Sequence, residues 1–278
     1  MFKTHFTPLI LGSALLASSF VSIAQDHVIN LHDAWNNLLS ENVLPINNGH
    51  STEVNYAAMK VQQAKLTAYV NALSAVTQHE FEGFDKAKQL AFLINAYNAW
   101  TVKFILTKYP DLNSIKDLGS FFSSPWSKEF VPLLGKTRSL DNIEHELIRG
   151  AVDSEGKAVY NDPRIHFAVN CASIGCPALR EEAYTADKLE AQLQAQTIRF
   201  LSDNSRNFVE KNTLNVSSIF KWYGKDFEKG FRGANSLGEF IMLYPNALKL
   251  LPEQQNSLKN NNMDIEFLNY NWQLNGIQ

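Results

Sequence analysis

The chain has 278 residues, of which 45% are hydrophobic and 12% aromatic, and its formal net charge is −3. This is the composition of a globular protein that is long enough to bury a substantial core. The small negative charge offers no basic surface, so we expect neither nucleic acid nor an anionic membrane as a partner.

The first 24 residues have the features of a secretory signal peptide. Lys3 precedes an apolar stretch over 6–21, and the tripeptide at 22–24, Ser-Ile-Ala, is a small-x-small cleavage pattern. The apolar stretch is too short and too rich in Ser for a membrane anchor. We therefore predict an exported protein, periplasmic or secreted, with no transmembrane segment in the mature chain. Residues 25–278 are expected to form a single domain because no repeat or Pro/Gly-rich linker divides them.

Helices dominate the predicted secondary structure. Apolar side chains at helical spacing predict an amphipathic helix over 56–77. The segment 86–109 is apolar on nearly every face, which is typical of a central buried helix, and Pro110 ends it. Further helices are expected over 185–202, 217–225 and 236–248.

Strands are predicted to be short. Residues 129–139 have the pattern of a strand or hairpin arm, and strands are also expected over 164–169, 213–216 and 265–274. After the hairpin arm, Ser139 is a candidate N-cap for a short helix over 140–149 that ends at a left-handed Gly150. We therefore predict an α+β fold, mainly helical with a small, mostly antiparallel sheet.

Motifs for a bound cofactor or metal are incomplete. Gly135-Lys136-Thr137 resembles the end of a phosphate-binding loop, but Phe130 stands where the first glycine must be. His145-Glu146 begins a helical zinc-protease motif, but Arg149 stands in place of the second histidine. The sequence thus predicts no cofactor.

The segment from His166 to Cys176 contains both cysteines of the chain, Cys171 and Cys176. A strand here would place His166 and Asn170 on one polar face. Pro177 suits the first position of a helix, whose N-terminus would favour a thiolate at Cys176.

Three interpretations of the cysteine pair remain open from the residues alone. One thiol is a nucleophile, or the two form a local disulfide in an oxidising compartment, or both are inert buried thiols. A zinc site that adds His145 and His166 is a weaker alternative, because the spacing of Cys171 and Cys176 is not specific for zinc.

A polar stripe on the predicted helix 140–149 is a second candidate site. Asn142, His145 and Arg149 share one face, where His145 could orient or deprotonate a thiol and Arg149 could hold a carboxylate. A solvated helix face explains the same stripe equally well. Glu144, beside this stripe, is a further candidate binding residue.

Two asparagines on the predicted central helix form a third candidate. Asn95 and Asn98 lie one turn apart among apolar residues, and buried amides need partners, so they predict a polar network or a site wall. The candidate binding residues are completed by Ser173 and Cys176 in the cysteine segment.

Four motifs occur in the order in which a known family has them: Leu93-Ile94-Asn95-Ala96-Tyr97-Asn98-Ala99, Leu140-Asp141-Asn142-Ile143-Glu144-His145, the segment Asp162-Pro163-Arg164-Ile165-His166-Phe167-Ala168-Val169-Asn170-Cys171 with Cys176-Pro177, and Phe220-Lys221-Trp222-Tyr223. Over about 85–230 the chain resembles the domain of unknown function 547 family. This resemblance implies remote similarity to papain-like and transglutaminase-like thiol enzymes. Plant members have Ser at the position of Cys176 and keep the cysteine that matches Cys171, which implies Cys171 as the nucleophile. Both candidate histidines precede Cys171, so a papain-like arrangement would need a permuted order.

The leading functional hypothesis is an exported thiol-dependent amide hydrolase or acyl transferase that acts on a small-molecule or peptide substrate. Cys171 attacks a carbonyl and His145 or His166 is the base. Asn170, Asn95 or Asn98 orients the base or donates to the oxyanion. The alternative is a non-catalytic envelope domain that recognises a peptide, a glycan or a protein partner.

Overall fold

A computed structural model describes residues 31–120 and 123–277 of the chain. The predicted signal peptide lies outside these residues. Within them the fold is α+β and mainly helical, as predicted, with three small sheets. No helix in the described ranges is long and apolar enough to cross a membrane.

The N-terminal half is built around one buried helix. The helices in this half are α1 (Asp33–Asn42), α2 (Tyr56–Val61), α3 (Gln63–Ala75), α4 (Gln78–Glu82) and α5 (Lys86–Leu106). Helix α5 begins where the Asp85 side chain accepts a hydrogen bond from the Lys88 N–H at 2.8 Å. From Leu90 to Leu106 every residue except Lys103 is buried, which confirms the predicted central helix. The predicted helix over 56–77 is interrupted at Gln62 and forms α2 and α3.

The strands are short and mostly antiparallel. They are β1 (Val43–Ile46), β2 (Ser51–Val54), β3 (Val131–Leu133), β4 (Lys136–Arg138), β5 (Phe208–Glu210), β6 (Thr213–Ser217) and β7 (Asp264–Leu268). Antiparallel pairing joins β1 to β2, β3 to β4 and β5 to β6, whereas β6 and β7 are parallel. The predicted hairpin over 129–139 is confirmed as β3 and β4. The alternation over 265–274 is a strand only as far as Leu268.

The strand predicted over 164–169 is wrong. The chain forms a 3₁₀-helix at Pro163–Phe167, because the Asp162 side chain caps it by accepting from the Arg164 N–H at 3.0 Å and Pro163 takes its first position. Every side chain from 163 to 168 is buried, so no polar face alternates with an apolar one. The alternation in sequence that predicted a strand therefore does not correspond to a buried and an exposed face.

The C-terminal half contains short helices. They are α6 (Leu189–Leu201), α7 (Ile219–Trp222), α8 (Leu237–Met242) and α9 (Pro252–Lys259). The helix predicted over 217–225 ends early at Trp222, and a 3₁₀-helix follows at Gly224–Glu228. This half has its own cluster of buried aromatic side chains, which includes Phe167, Phe200, Phe220 and Phe240. A second cluster surrounds α5.

The short helix predicted over 140–149 exists but is wider than an α-helix. Its central part, Asn142–Ile148, is a π-helix, and the Arg149 N–H donates to the Glu144 carbonyl at 3.0 Å. Ser139 caps it as predicted, since its Oγ accepts from the Asn142 N–H at 3.0 Å. Gly150 is not among the left-handed residues, contrary to prediction. A Cβ there would lie 2.6 Å from the His145 carbonyl oxygen, so close packing is what requires this glycine.

Candidate active site

A cavity of about 210 Å³ lies where side chains of the two apolar clusters meet. Its lining combines six aromatic rings with a few polar groups and the cysteine pair. The aromatic rings belong to Tyr97, Trp126, Trp222, Tyr223, Tyr270 and Trp272. The polar side chains are Asp141, Glu144, His145 and His166, and Cys171 and Cys176 complete the reactive set. Narrow apolar cavities with a few convergent polar groups are typical of small-molecule sites.

His166 is fixed in the cavity wall by a carboxylate. It projects from the 3₁₀-helix with only 3% of its surface exposed, and its Nε2 lies 2.9 Å from Asp226 Oδ2. A carboxylate can only accept, so Nε2 carries the proton and Nδ1 keeps its lone pair. Tyr223 stacks on the imidazole at a centroid distance of 4.0 Å, and Nδ1 is buried without a hydrogen-bond partner. This is the arrangement of a held, neutral base.

Burial, and not the sum of the neighbouring charges, favours this state of His166. Burial lowers the pKa of His166 below its ordinary value of 6.5 and outweighs the opposite effect of Asp226. Burial alone would raise the pKa of the Asp226 carboxyl, but hydrogen bonds from His166, Arg149 and Lys229 hold it well below 3.8. The Arg149 and Lys229 contacts measure 2.6 and 2.8 Å. At neutral pH the pair is therefore an imidazole and a carboxylate.

His145 lies at the same cavity with a different partner. Arg149 Nη1 is 2.7 Å from His145 Nδ1, and because guanidinium only donates, the Nδ1 lone pair is occupied. The Nε2 atom faces Asp141 at 3.7 Å, and 41% of the side chain is exposed. The predicted proximity of His145 and Arg149 is confirmed, and Asn142 bonds to Glu146 at 2.6 Å instead of joining them. The Nδ1 lone pair of His145 is therefore occupied, whereas the Nδ1 lone pair of His166 has no partner.

The two cysteines form a disulfide in this structure, so neither thiol is free. Of the interpretations left open by the residues, the local disulfide is the one observed. Cys171 is half-buried and Cys176 is buried. The expected helix after Cys176 does not form, because residues 177–180 have no regular structure. Cys176 Sγ instead accepts a hydrogen bond from the Cys171 N–H at 2.9 Å, which takes the place of the expected helix N-terminus beside this sulfur.

Tyr270 closes over the disulfide. Its hydroxyl lies 3.0 Å from Cys171 Sγ and 3.1 Å from Cys176 Sγ, and Ser173 Oγ is 3.7 Å from Cys171 Sγ. A Cβ at Gly175 would lie 2.9 Å from the Tyr270 ring, so only glycine allows this approach. Ser173, a predicted binding residue, thus contacts the sulfur pair.

The three predicted asparagines hold the backbone around the cavity. Asn98 accepts from the Asn170 N–H at 2.8 Å and donates to the Ala168 carbonyl at 2.9 Å. Asn170 donates to the Pro177 carbonyl and accepts from the Ala172 N–H, which supports the left-handed conformation of Ala172 at φ 60°. Asn95 makes a matching pair of bonds with the Tyr184 backbone. None of the three lines the cavity, so the geometry assigns them a positioning role.

Sequence reasoning missed Asp226 and most of the aromatic lining. Asp226 is 60 positions from His166, and no local spacing connects them. Trp222 and Tyr223 were noticed only as part of the fourth motif. Among the described residues, no group of three or more His, Cys, Asp or Glu side chains is arranged to hold a metal ion.

Comparison with protein families gives one match. Residues 81–201 match the family described as "Protein of unknown function, DUF547". The match contains α5, the π-helix, His166 and both cysteines, whereas Asp226, Trp222 and Tyr270 lie beyond it. No curated protein and no solved structure matches the chain.

Proposed function

We propose that the reduced protein is a thiol-dependent amide hydrolase or acyl transferase with Cys171 as nucleophile and the His166–Asp226 pair as general base. The observation that carries this proposal is His166, a buried neutral imidazole that is held through Nε2 by a carboxylate and has no partner at Nδ1. A base held by a third group beside a nucleophile is the logic of hydrolytic triads. His166 and Cys171 line the same cavity.

The chemistry begins with reduction, because a disulfide sulfur carries no proton to give up. A dithiol reductant transfers two electrons and two protons to the cysteine pair, which becomes two thiols, and the reductant is itself oxidised to a disulfide. Cys171 is the better candidate nucleophile, since it is more exposed than Cys176. An exported chain would meet oxidising conditions, as predicted from the signal peptide, so reduction would control activity there.

Acyl transfer then follows in two steps. His166 Nδ1 takes the proton of the Cys171 thiol, and the thiolate attacks the substrate carbonyl and forms a thioester. The leaving amine departs with the proton from His166. Water or another nucleophile next attacks the thioester and gives its proton to His166, the Cys171 thiolate leaves with the electrons of the broken C–S bond, and His166 returns the proton to it. Asp226 stabilises the transient imidazolium throughout and is not itself protonated.

Thiol reactivity tests the proposal without a known substrate. The protein is reduced with dithiothreitol, and iodoacetamide labelling of each cysteine is followed by mass spectrometry across pH. We expect Cys171 to be alkylated faster than a free cysteine near pH 7, because neutral His166 can take its proton during the attack, and we expect His166→Gln to slow this alkylation. His79→Gln, an exposed substitution outside the cavity, is the matched control. Equal reactivity of Cys171 in the wild type and His166→Gln would refute the assigned base.

A second candidate function is the non-catalytic recognition of a ligand. The specific observation in its favour is the disulfide, which leaves an aromatic cavity without a nucleophile. The two functions differ when reduced protein is offered a panel of activated esters and amides. Turnover that Cys171→Ser abolishes supports the enzyme, whereas binding without turnover supports the recognition domain.

A further inference from the structure

The acidic side chains of the cavity have no Lys or Arg partner among the residues that line it. Asp141 and Glu144 both line it, and no Lys or Arg does. Glu144 is only 6% exposed, and its Oε1 is buried without a hydrogen-bond partner. A carboxyl oxygen buried in this state has lost its hydrogen bonds to water without gaining a partner, which costs free energy. A positively charged group inside the cavity would offset this cost.

Glu144 contributes to the raised pKa values of three neighbouring side chains. Burial is the main cause that raises the pKa of Tyr97 and of Tyr223, and Glu144 adds to the rise in both. Burial likewise raises the pKa of Asp141, with Glu144 adding to the effect and His145 opposing it. The negative field of Glu144 thus extends across the cavity. His166 does not cancel it as a cation, since burial keeps this histidine neutral.

The aromatic rings that line the cavity are also suited to a positively charged ligand. Trp222 lines the cavity, is 47% exposed as a whole residue and stacks with Trp272 at a centroid distance of 5.6 Å, while the Tyr270 ring lies 4.4 Å from that of Trp272. Cations already contact two of the lining rings, since Lys116 Nζ is 3.7 Å from the centre of Trp272 and Arg149 lies over Tyr223 at 4.8 Å. The faces of Trp rings are the best aromatic sites for cations.

We propose that this cavity binds a small organic cation, an alkylammonium group, between its tryptophan rings and Glu144. The volume of about 210 Å³ fits the end of such a group better than a bulky ligand. Within the proposed acyl-transfer function the ammonium belongs to the substrate, and only this last assignment rests on that function. The binding itself requires no thiol.

Choline and its neutral isostere 3,3-dimethylbutan-1-ol are the probes. Each is titrated at low ionic strength into the full, disulfide-bonded protein, and binding is read from tryptophan fluorescence and by calorimetry. We expect choline to bind at least about tenfold more tightly than the alcohol. Equal binding of the two, or no saturable choline binding, would overturn the proposal.

Two matched variants locate the charge. Glu144→Gln should weaken choline binding about tenfold or more and leave the alcohol unaffected. Glu146→Gln removes the same charge from the same π-helix on its exposed side and should bind choline like the wild type. If Glu144→Gln does not fold, the charge is tested with Asp141→Asn, which should also bind choline more weakly than the wild type and leave binding of the alcohol unaffected. The difference in affinity between choline and the alcohol in the wild type remains the primary test. An equal loss in Glu144→Gln and Glu146→Gln would contradict the assigned site.

This experiment and the thiol experiment fail independently. The titration uses oxidised protein, so an unreactive Cys171 would leave a positive choline result intact. A reactive Cys171 together with choline and alcohol of equal affinity would leave the proposed function in place and remove the cationic ligand.

Discussion

His145 and His166 line the same cavity, but they are held in opposite ways. His166 is buried and donates from Nε2 to Asp226, and its Nδ1 has no hydrogen-bond partner. His145 is exposed and accepts from Arg149, which occupies the lone pair that a base would use. The partner, and not the proximity of an imidazole to a cysteine, therefore decides which histidine can act. Asp226 and Arg149 also bond to each other at 2.6 Å, so one ion pair sets both states.

The largest expected effect comes from Asp226→Asn. An amide can present its NH₂ group to His166 and reverse which imidazole nitrogen carries the proton, so the base function is lost. We expect the acylation rate of reduced protein with an activated ester to fall by about 10²- to 10⁴-fold. Stopped-flow measurement of the acylation burst checks this, and a fall of less than threefold would show that Asp226 does not control the base.

Asp226→Ala should strongly destabilise the fold. It leaves the buried His166 Nε2–H and Arg149 without a carboxylate, which costs about 3–5 kcal/mol when one partner of a buried pair is removed. Urea unfolding of the oxidised protein measures the loss. Glu228→Ala, at an exposed position of the same 3₁₀-helix, is the control and should change the free energy of unfolding by less than about 0.5 kcal/mol.

Stability should decrease on acidification for a reason specific to buried imidazoles. The folded-state pKa of His166 is lowered, so its contribution is fully present above pH 6.5 and is lost as pH falls towards the folded value. His32, whose pKa is lowered to about 4 chiefly by burial, adds to the same loss. Asp226 adds a further loss below pH 3.8. Unfolding free energies at pH 7.5 and 5.5 should differ less in His166→Gln than in the wild type, and an unchanged difference would show that His166 is not held neutral.

The smallest effect is expected from His145→Gln. Because Arg149 already occupies His145 Nδ1, the substitution removes no base, and the acylation rate should change by less than about threefold. The same burst measurement on reduced protein tests this beside His166→Gln. A loss in His145→Gln as large as in His166→Gln would mean that the two histidines have equivalent roles.

The parts of the fold that follow from local patterns could be predicted. The length and burial of α5, the β3–β4 hairpin and the Ser139 cap each depend on residues close in sequence. The segment 163–167 could not, because it is buried on every side and Asp162 and Pro163 impose a 3₁₀-helix at its start. A two-residue pattern carries no information where no face meets solvent.

The candidate site was predicted only in part for the same reason. His166, Cys171 and Cys176 are close in sequence and attract attention by their chemistry. Asp226 and the tryptophans come from segments that the tertiary fold brings together, and nothing in their local spacing signals a shared cavity. The asparagines were expected near the site and do surround it, but they bond to backbone groups instead of facing the cavity.

The central claim is the protonation state of His166, and ¹⁵N NMR of the histidine side chains tests it most directly. Spectra of the wild type and of His166→Gln assign the signal. The structure predicts that at pH 7 His166 is neutral, with a proton on Nε2 and a lone pair on Nδ1. A doubly protonated imidazole at pH 7, or a neutral ring with its proton on Nδ1, would contradict the account.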